Sequence, residues 1–120
     1  ADKAHALRTD FAAHAALQTG GYADLAGESF DVVINATSAG LSGETLPLPA
    51  GLFASGALAY DMVYGKGLTP FLRQAQQAGV TALADGVGML VEQAAEAFVW
   101  WRGVRPATAE VIRRLSVPLV

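Results

Sequence analysis

The sequence has no cysteine, which excludes disulfide frameworks, thiolate metal sites and cysteine nucleophiles together. Charge is scarce: 16% of the 120 residues are Asp, Glu, Lys or Arg, against roughly 25% in an ordinary globular protein, so some of this surface is expected to be covered by another part of a larger molecule. Lys and Arg number 8 against 11 Asp and Glu, for a net charge of -3. No basic stripe of the kind a phosphate backbone requires is present, and nucleic acid is not an expected partner. Gly, Asp, Glu or Gln breaks every apolar run before the roughly 18 residues of a membrane span, and no basic-then-apolar leader opens the chain. The expectation is a cytoplasmic chain without a membrane partner. The first residue is Ala1 rather than Met, and helical patterning is in force by Lys3, as expected of a segment from a longer protein.

What the sequence does have is apolar residues, 52% of the total, enough for the core of one domain or a piece of one. Ala4, Leu7, Phe11 and Ala15 recur at three- and four-residue spacing and predict an amphipathic helix from Asp2 to about Leu17, stopped by Gly20 and Gly21. Val32, Val33 and Ile34 form a short β-branched run that suits a parallel strand buried on both faces. Pro47 and Pro49 keep regular structure out of a loop from Ser38 to Gly51. A second strand is expected over Leu58 to Tyr64, followed by a helix with Thr69 as cap and Pro70 at its first position, ending at Gly79. A third strand spans Val80 to Ala84. The longest helix then starts at Asp85 and ends near Trp101; Val87, Leu90, Val91, Ala94, Ala95, Phe98 and Val99 make it apolar on most sides, as a buried central helix would be. Pro106 opens a last helix. Strands alternating with helices imply an α/β, partial Rossmann-like domain with parallel strands, and the carboxy-terminal helices fall outside that alternation.

In open parallel sheets ligands bind beyond the carboxyl ends of the strands. That rule selects Asn35-Ala36-Thr37-Ser38-Ala39-Gly40, Asp61-Met62-Val63-Tyr64 and Asp85-Gly86-Val87-Gly88-Met89. Asn35, Thr37 and Ser38 carry groups that can bond a carboxamide or ribose, or equally their own backbone. Met62 and Met89 suit an apolar slot for a planar ring, or ordinary packing. Gly86 either admits a ligand to the backbone or makes a tight strand-to-helix turn. Gly86-Val87-Gly88 is not a dinucleotide fingerprint, because Val91 occupies the third glycine position and no second strand with an acidic residue follows. Gln93, one turn beyond Met89, can bond a polyol or share a solvated face with Glu96, and Tyr64 can present its hydroxyl to the same ligand. His5 and His14 are on different sides of one helix, so no metal site is expected. Asp61 and Asp85 stand near the ligand edge without a His or Lys partner of evident spacing, and Lys66 between two glycines is a solvated turn.

Together these stretches, with Gly67-Leu68-Thr69-Pro70-Phe71-Leu72 and the continuation through Leu90-Val91-Glu92-Gln93-Ala94-Ala95, resemble the carboxy-terminal signatures of shikimate dehydrogenase. The resemblance implies an NADP-dependent reduction of 3-dehydroshikimate to shikimate, in the pathway to aromatic amino acids. It implies that Ala36, Thr37 and Ser38 border the nicotinamide and its ribose, that Met62, Gly86 and Met89 lie against the nicotinamide, and that Tyr64 and Gln93 bond the shikimate. Ala1-Asp2-Lys3-Ala4 resembles the segment that follows the family's grip on the adenosine phosphate, which makes Lys3 a candidate last member of that clamp. By the same resemblance residues 1–84 are the carboxy-terminal part of the NADP-binding domain, and 85–120 are helices packing towards an amino-terminal substrate domain that is absent here. That missing domain, like the missing glycine-rich phosphate loop, lies upstream with the catalytic Lys and Asp, so no catalytic residue is expected in this chain. A quinate/shikimate dehydrogenase relative using NAD, or a fragment inactive by itself, are the alternatives. With a hydrophobic strand unpaired, the chain is expected to associate as a homo-oligomer.

Overall fold

The computed structural model describes residues 2–65 and 67–119, the side chains at 40 and 41 excepted. Ala1 of the opening segment and the Lys66 turn lie outside the described residues. The chain forms two compact units, one of the residues up to Ser29 with Pro47–Leu52, the other of Phe30–Leu46 with Phe53 onward.

In the first unit, α1 (Asp2–Asp10) stops well short of Leu17, and none of its residues is buried. Leu7 and Phe11 are both about half exposed, so the apolar stripe that predicts a longer helix finds too little to pack on. A short helix without such packing is marginal in water. A 3-10 turn follows at Tyr22–Leu25, where the N–H of Gly21 donates to Asp24 Oδ2 at 2.8 Å.

The second unit is an α/β layer. Its sheet has three parallel strands in the order β1 (Phe30–Asn35), β2 (Phe53–Asp61) and β3 (Ala82–Asp85). A four-residue helix, α2 (Ala39–Ser42), interrupts the loop that the prolines were expected to keep irregular. The central strand begins at Phe53, earlier than Leu58, and ends at Asp61, so that residues 62–64 are a turn and not strand. Its pairing with β1 jumps from Phe30↔Phe53 to Val32↔Leu58. Gly56, at φ +77°, lies inside that jump, where a bulge needs a backbone that a side chain disfavours.

Helix α3 (Pro70–Gln77) begins as expected, with Pro70 in its first turn and the Thr69 hydroxyl accepting from the N–H of Leu72 at 3.2 Å. It buries Phe71, Leu72 and Ala75 and packs on β2 and β3. Along β2 the alternation is clean: Ala57, Ala59 and Asp61 are buried, while Leu58 and Tyr60 on the other face are partly open. Much of the core of this unit sits between β2 and α3, with Val80, Val87, Val91 and Ala95 also buried.

Two expectations fail in this unit. Val32 and Ile34 are 53% and 60% exposed, not buried on both faces, because β1 is an edge strand with β2 on one side. Helix α4 (Val87–Arg102) is not buried all round either: its buried residues are Val87, Val91 and Ala95, a single stripe at four-residue spacing, while Trp100 and Trp101 are 87% and 78% exposed. Gly103, in the left-handed region, ends it.

Helix α5 (Ala109–Leu115) starts later than Pro106. The connection is tied down instead by side chains: Arg105 bonds Glu92 at 2.8 Å and also Glu96, and the Thr108 hydroxyl donates to Glu92 Oε1 at 2.6 Å. The two carboxylates, Glu96 foremost, hold the Arg105 guanidinium above its ordinary pKa. Such solvent-exposed pairs orient a loop more than they stabilise it. Helix α5 packs on α4, outside the β-α alternation as the sequence implies.

Candidate functional site

The three strands end level. Asn35 pairs with Asp61, and Asp61 with Asp85, so one row of polar side chains crosses the carboxyl edge of the sheet. Each strand continues into a turn selected from the sequence, and parallel pairing puts all three turns on the same edge.

Asp61 is fully buried at the centre of that row. Its Oδ1 accepts from Asn35 Nδ2 and from the N–H of Val63, both at 3.1 Å, and its Oδ2 accepts from the Thr69 hydroxyl at 2.5 Å. Asn35 in turn spends its Oδ1 on Thr37, accepting from the backbone N–H at 3.0 Å and from the hydroxyl at 2.8 Å. The amide of Asn35 is therefore used inside the protein, and the Thr37 hydroxyl is turned inward with it. Neither is a free donor toward a ligand; what the 36–38 turn offers outward is backbone, the Ser38 side chain and the Thr37 methyl. Ala36, Thr37 and Ser38 are all exposed.

The middle turn is fixed from both sides. The N–H of Met62 donates to the Asn35 carbonyl at 3.0 Å, extending the ladder one residue past the strand. A Cβ added at Gly86 would overlap the Met62 carbonyl oxygen and come within 3.3 Å of the Tyr64 ring. The 62–64 turn occupies the space a Gly86 side chain would need, so the strand-to-helix turn is tight at this glycine. Asp85 Oδ1 accepts from the N–H of Val87 at 3.1 Å and starts α4; its Oδ2 is buried without a partner.

Around this framework the chemistry-bearing side chains stand open. Met62 is 38% exposed, Tyr64 44% and Met89 42%. Gln93 is exposed as well. The Met62 carbonyl and the Tyr64 ring both lie beside Gly86, and Met89 lies on the first turn of α4. Lys3 is on α1 in the other unit, exposed. Sequence reasoning treated Asp61 as a ligand-edge carboxylate and Thr69 as a helix cap, and missed that they bond each other. The alignment of Asn35 with Asp61 comes from strand register, which the sequence shows only through each residue's place at a strand end. Among the described residues no three His, Cys, Asp or Glu side chains sit together as a metal site, and no helix is long and apolar enough to cross a membrane.

A nicotinamide nucleotide fits this edge in part. Two exposed thioethers beside a backbone-lined turn suit a planar ring, while no glycine-rich loop for the phosphates is present in the sequence.

Comparison with known proteins accords with this geometry. The shikimate 5'-dehydrogenase C-terminal domain family matches residues 86–115. Shikimate dehydrogenase (NADP(+)) of Dechloromonas aromatica (strain RCB) is 63% identical over 120 residues, 100% of this chain and 44% of that protein. An Ael1 enzyme from Pseudomonas putida superimposes with a TM-score of 0.88 at 57% identity, over 99% of this chain and 44% of that one. Shikimate 5-dehydrogenase from Thermus thermophilus, solved in complex with NADP(H) and shikimate, gives a TM-score of 0.74 at 34% identity, over 95% and 42%. The chain spans less than half the length of these relatives. In sequence and in fold, then, it corresponds to the carboxy-terminal portion of the shikimate dehydrogenases.

Proposed function

We propose that this chain is the carboxy-terminal portion of an NADP-dependent shikimate dehydrogenase, a cytoplasmic oxidoreductase of aromatic amino-acid biosynthesis that interconverts 3-dehydroshikimate and shikimate. The observation that carries the reading is the convergence of three turns on one sheet edge, with Met62, Tyr64 and Met89 left open around it. The relatives named for NADP(+) and the neighbour solved with NADP(H) and shikimate support it.

NADP, when bound, would supply the hydride-transfer chemistry, and the residues of this chain would hold it in place. Ala36, Thr37 and Ser38 border its nicotinamide ribose with backbone and small side chains, and Met62, Met89 and the Gly86 backbone exclude water from one side of the ring. Tyr64 and Gln93 donate to the hydroxyls of shikimate from the middle turn and from α4. Lys3 pairs with the adenosine phosphate. No group in this chain is assigned to take the substrate's hydroxyl proton, in line with catalytic residues upstream. Residues 1–84 complete the NADP-binding domain and 85–120 pack towards the amino-terminal domain, a role supported by the exposed Phe98, Trp100, Trp101 and Val104.

The full-length protein is expected to reduce NADP+ only when shikimate is present. Gln93→Ala should raise KM for shikimate several-fold to about tenfold, the value of one lost hydrogen bond, with KM for NADP+ unchanged. A full-length protein without shikimate-dependent NADPH formation would sink the assignment, and an unchanged shikimate KM would remove Gln93 from the site.

A further inference from the structure

We propose that Asp61 is a positioning residue for this reaction, fixing the 36–38 and 62–64 turns relative to each other and to α3. The inference rests on the functional reading above and goes beyond it, because neither Asp61 nor its partners touch substrate or cofactor in that reading.

Asp61, Asn35 and Thr69 are 0%, 3% and 2% exposed, so they act only through what they hold. All of the donors to Asp61 are neutral: an amide, a backbone N–H and a hydroxyl. A carboxylate so deeply buried is costly to keep and is tolerated when its lone pairs are occupied. An apolar residue would fill the space at less cost, but it would not aim anything. One bond from Asp61 reaches the N–H of Val63, between Met62 and Tyr64. Two bonds, through the Asn35 amide, reach the N–H and hydroxyl of Thr37. The third arm, Thr69, accepts from Leu72 while donating to Asp61, so the start of α3 and the two turns share one anchor. Displacing that anchor moves the nicotinamide side and the shikimate side of the site together.

The experiment compares Thr69→Val, Thr69→Ser and Asn35→Asp in the full-length enzyme, at a temperature where circular dichroism shows each variant folded. Valine keeps the shape of threonine and removes the donor; serine keeps the donor. Aspartate at 35 still accepts from Thr37 but sets an acceptor against Asp61. Thr69→Val and Asn35→Asp are expected to lower kcat for shikimate oxidation by roughly tenfold to a hundredfold, the effect of misplacement by a fraction of an ångström to an ångström. Thr69→Ser should stay within about twofold of the unmodified enzyme. Hydrogen exchange at the Thr37 and Val63 amides should quicken in the two impaired variants alone. A folded Thr69→Val or Asn35→Asp enzyme that melts lower but keeps kcat and both KM values would overturn the proposal, as would lost activity with unchanged exchange at both amides. If the unmodified enzyme itself fails to oxidise shikimate, the functional reading fails and the positioning role falls with it, an outcome distinct from normal variants of an active enzyme.

Discussion

The region formed by β2, β3 and α3 closes its own core, whereas β1 and α4, in the same unit, carry apolar surface that the described residues do not cover. Ala59, Leu72 and Ala75 are fully buried, while Ile34 is 60% exposed and Trp100 87%. Composition does not separate the two regions, since both are rich in apolar residues. The difference is that α3 has one apolar face and a sheet to lay it on, while α4 has apolar residues on several faces and, in this chain, burial for one stripe. Apolar character specifies that a surface must be covered; it does not specify which part of the protein covers it.

The sharpest way to break the contrast is to truncate one large side chain in each region. Leu72→Ala should destabilise the folded chain by about 2–5 kcal/mol, because the residue is fully buried and the cavity cannot fill. Trp100→Ser, which removes a larger side chain, should change the stability of this chain by no more than about 0.5 kcal/mol. Denaturant titration of each variant checks the pair, and equal losses would erase the distinction.

A smaller effect is expected where the regions meet, at the Gly86 turn. Gly86→Ala puts a methyl where the Met62 carbonyl lies, and relief of the overlap should cost about 1–3 kcal/mol. The 62–64 turn has to move to admit it, so in the full-length enzyme catalysis should fall more than stability does. Thermal melting beside steady-state kinetics separates the two, and a variant with normal kcat would show that the turn is not tightly held.

The smallest effect belongs to the open surface of α5, and it depends on pH. Arg113 and then Arg114 hold the Glu110 carboxyl below its ordinary pKa. A depressed folded-state value means that the contribution is present above the unfolded pKa and is lost as pH falls through the folded one. Melting temperatures of the original chain and of Glu110→Gln should therefore differ slightly at neutral pH and converge in acid. A gap that widened in acid would reverse the sign.

Element by element, the sequence was legible where local chemistry decides. Thr69-Pro70 fixed the start of α3, and Gly103 the end of α4. It misled where the outcome depends on a neighbour. The apolar spacing that suggests a helix to Leu17 is present, but α1 ends at Asp10 for want of a packing surface. The second strand, expected from Leu58, begins at Phe53, because pairing with β1 carries it across the irregularity at Gly56.

The same division runs through the candidate site. By itself the sequence determined the α/β order, the three strand-end turns and, through Ile34-Asn35-Ala36-Thr37-Ser38 and its companions, the resemblance to shikimate dehydrogenase, because turn chemistry and motif spacing are written in consecutive residues. Only the tertiary structure decided that Asn35, Asp61 and Asp85 stand level, that the Asn35 amide and Thr37 hydroxyl are spent inside the protein, and that the 62–64 turn occupies the space beside Gly86. Apart from the local bond between Thr37 and Asn35, those facts depend on strand register and on approach between residues 24 or more positions apart, and a one-dimensional pattern holds neither.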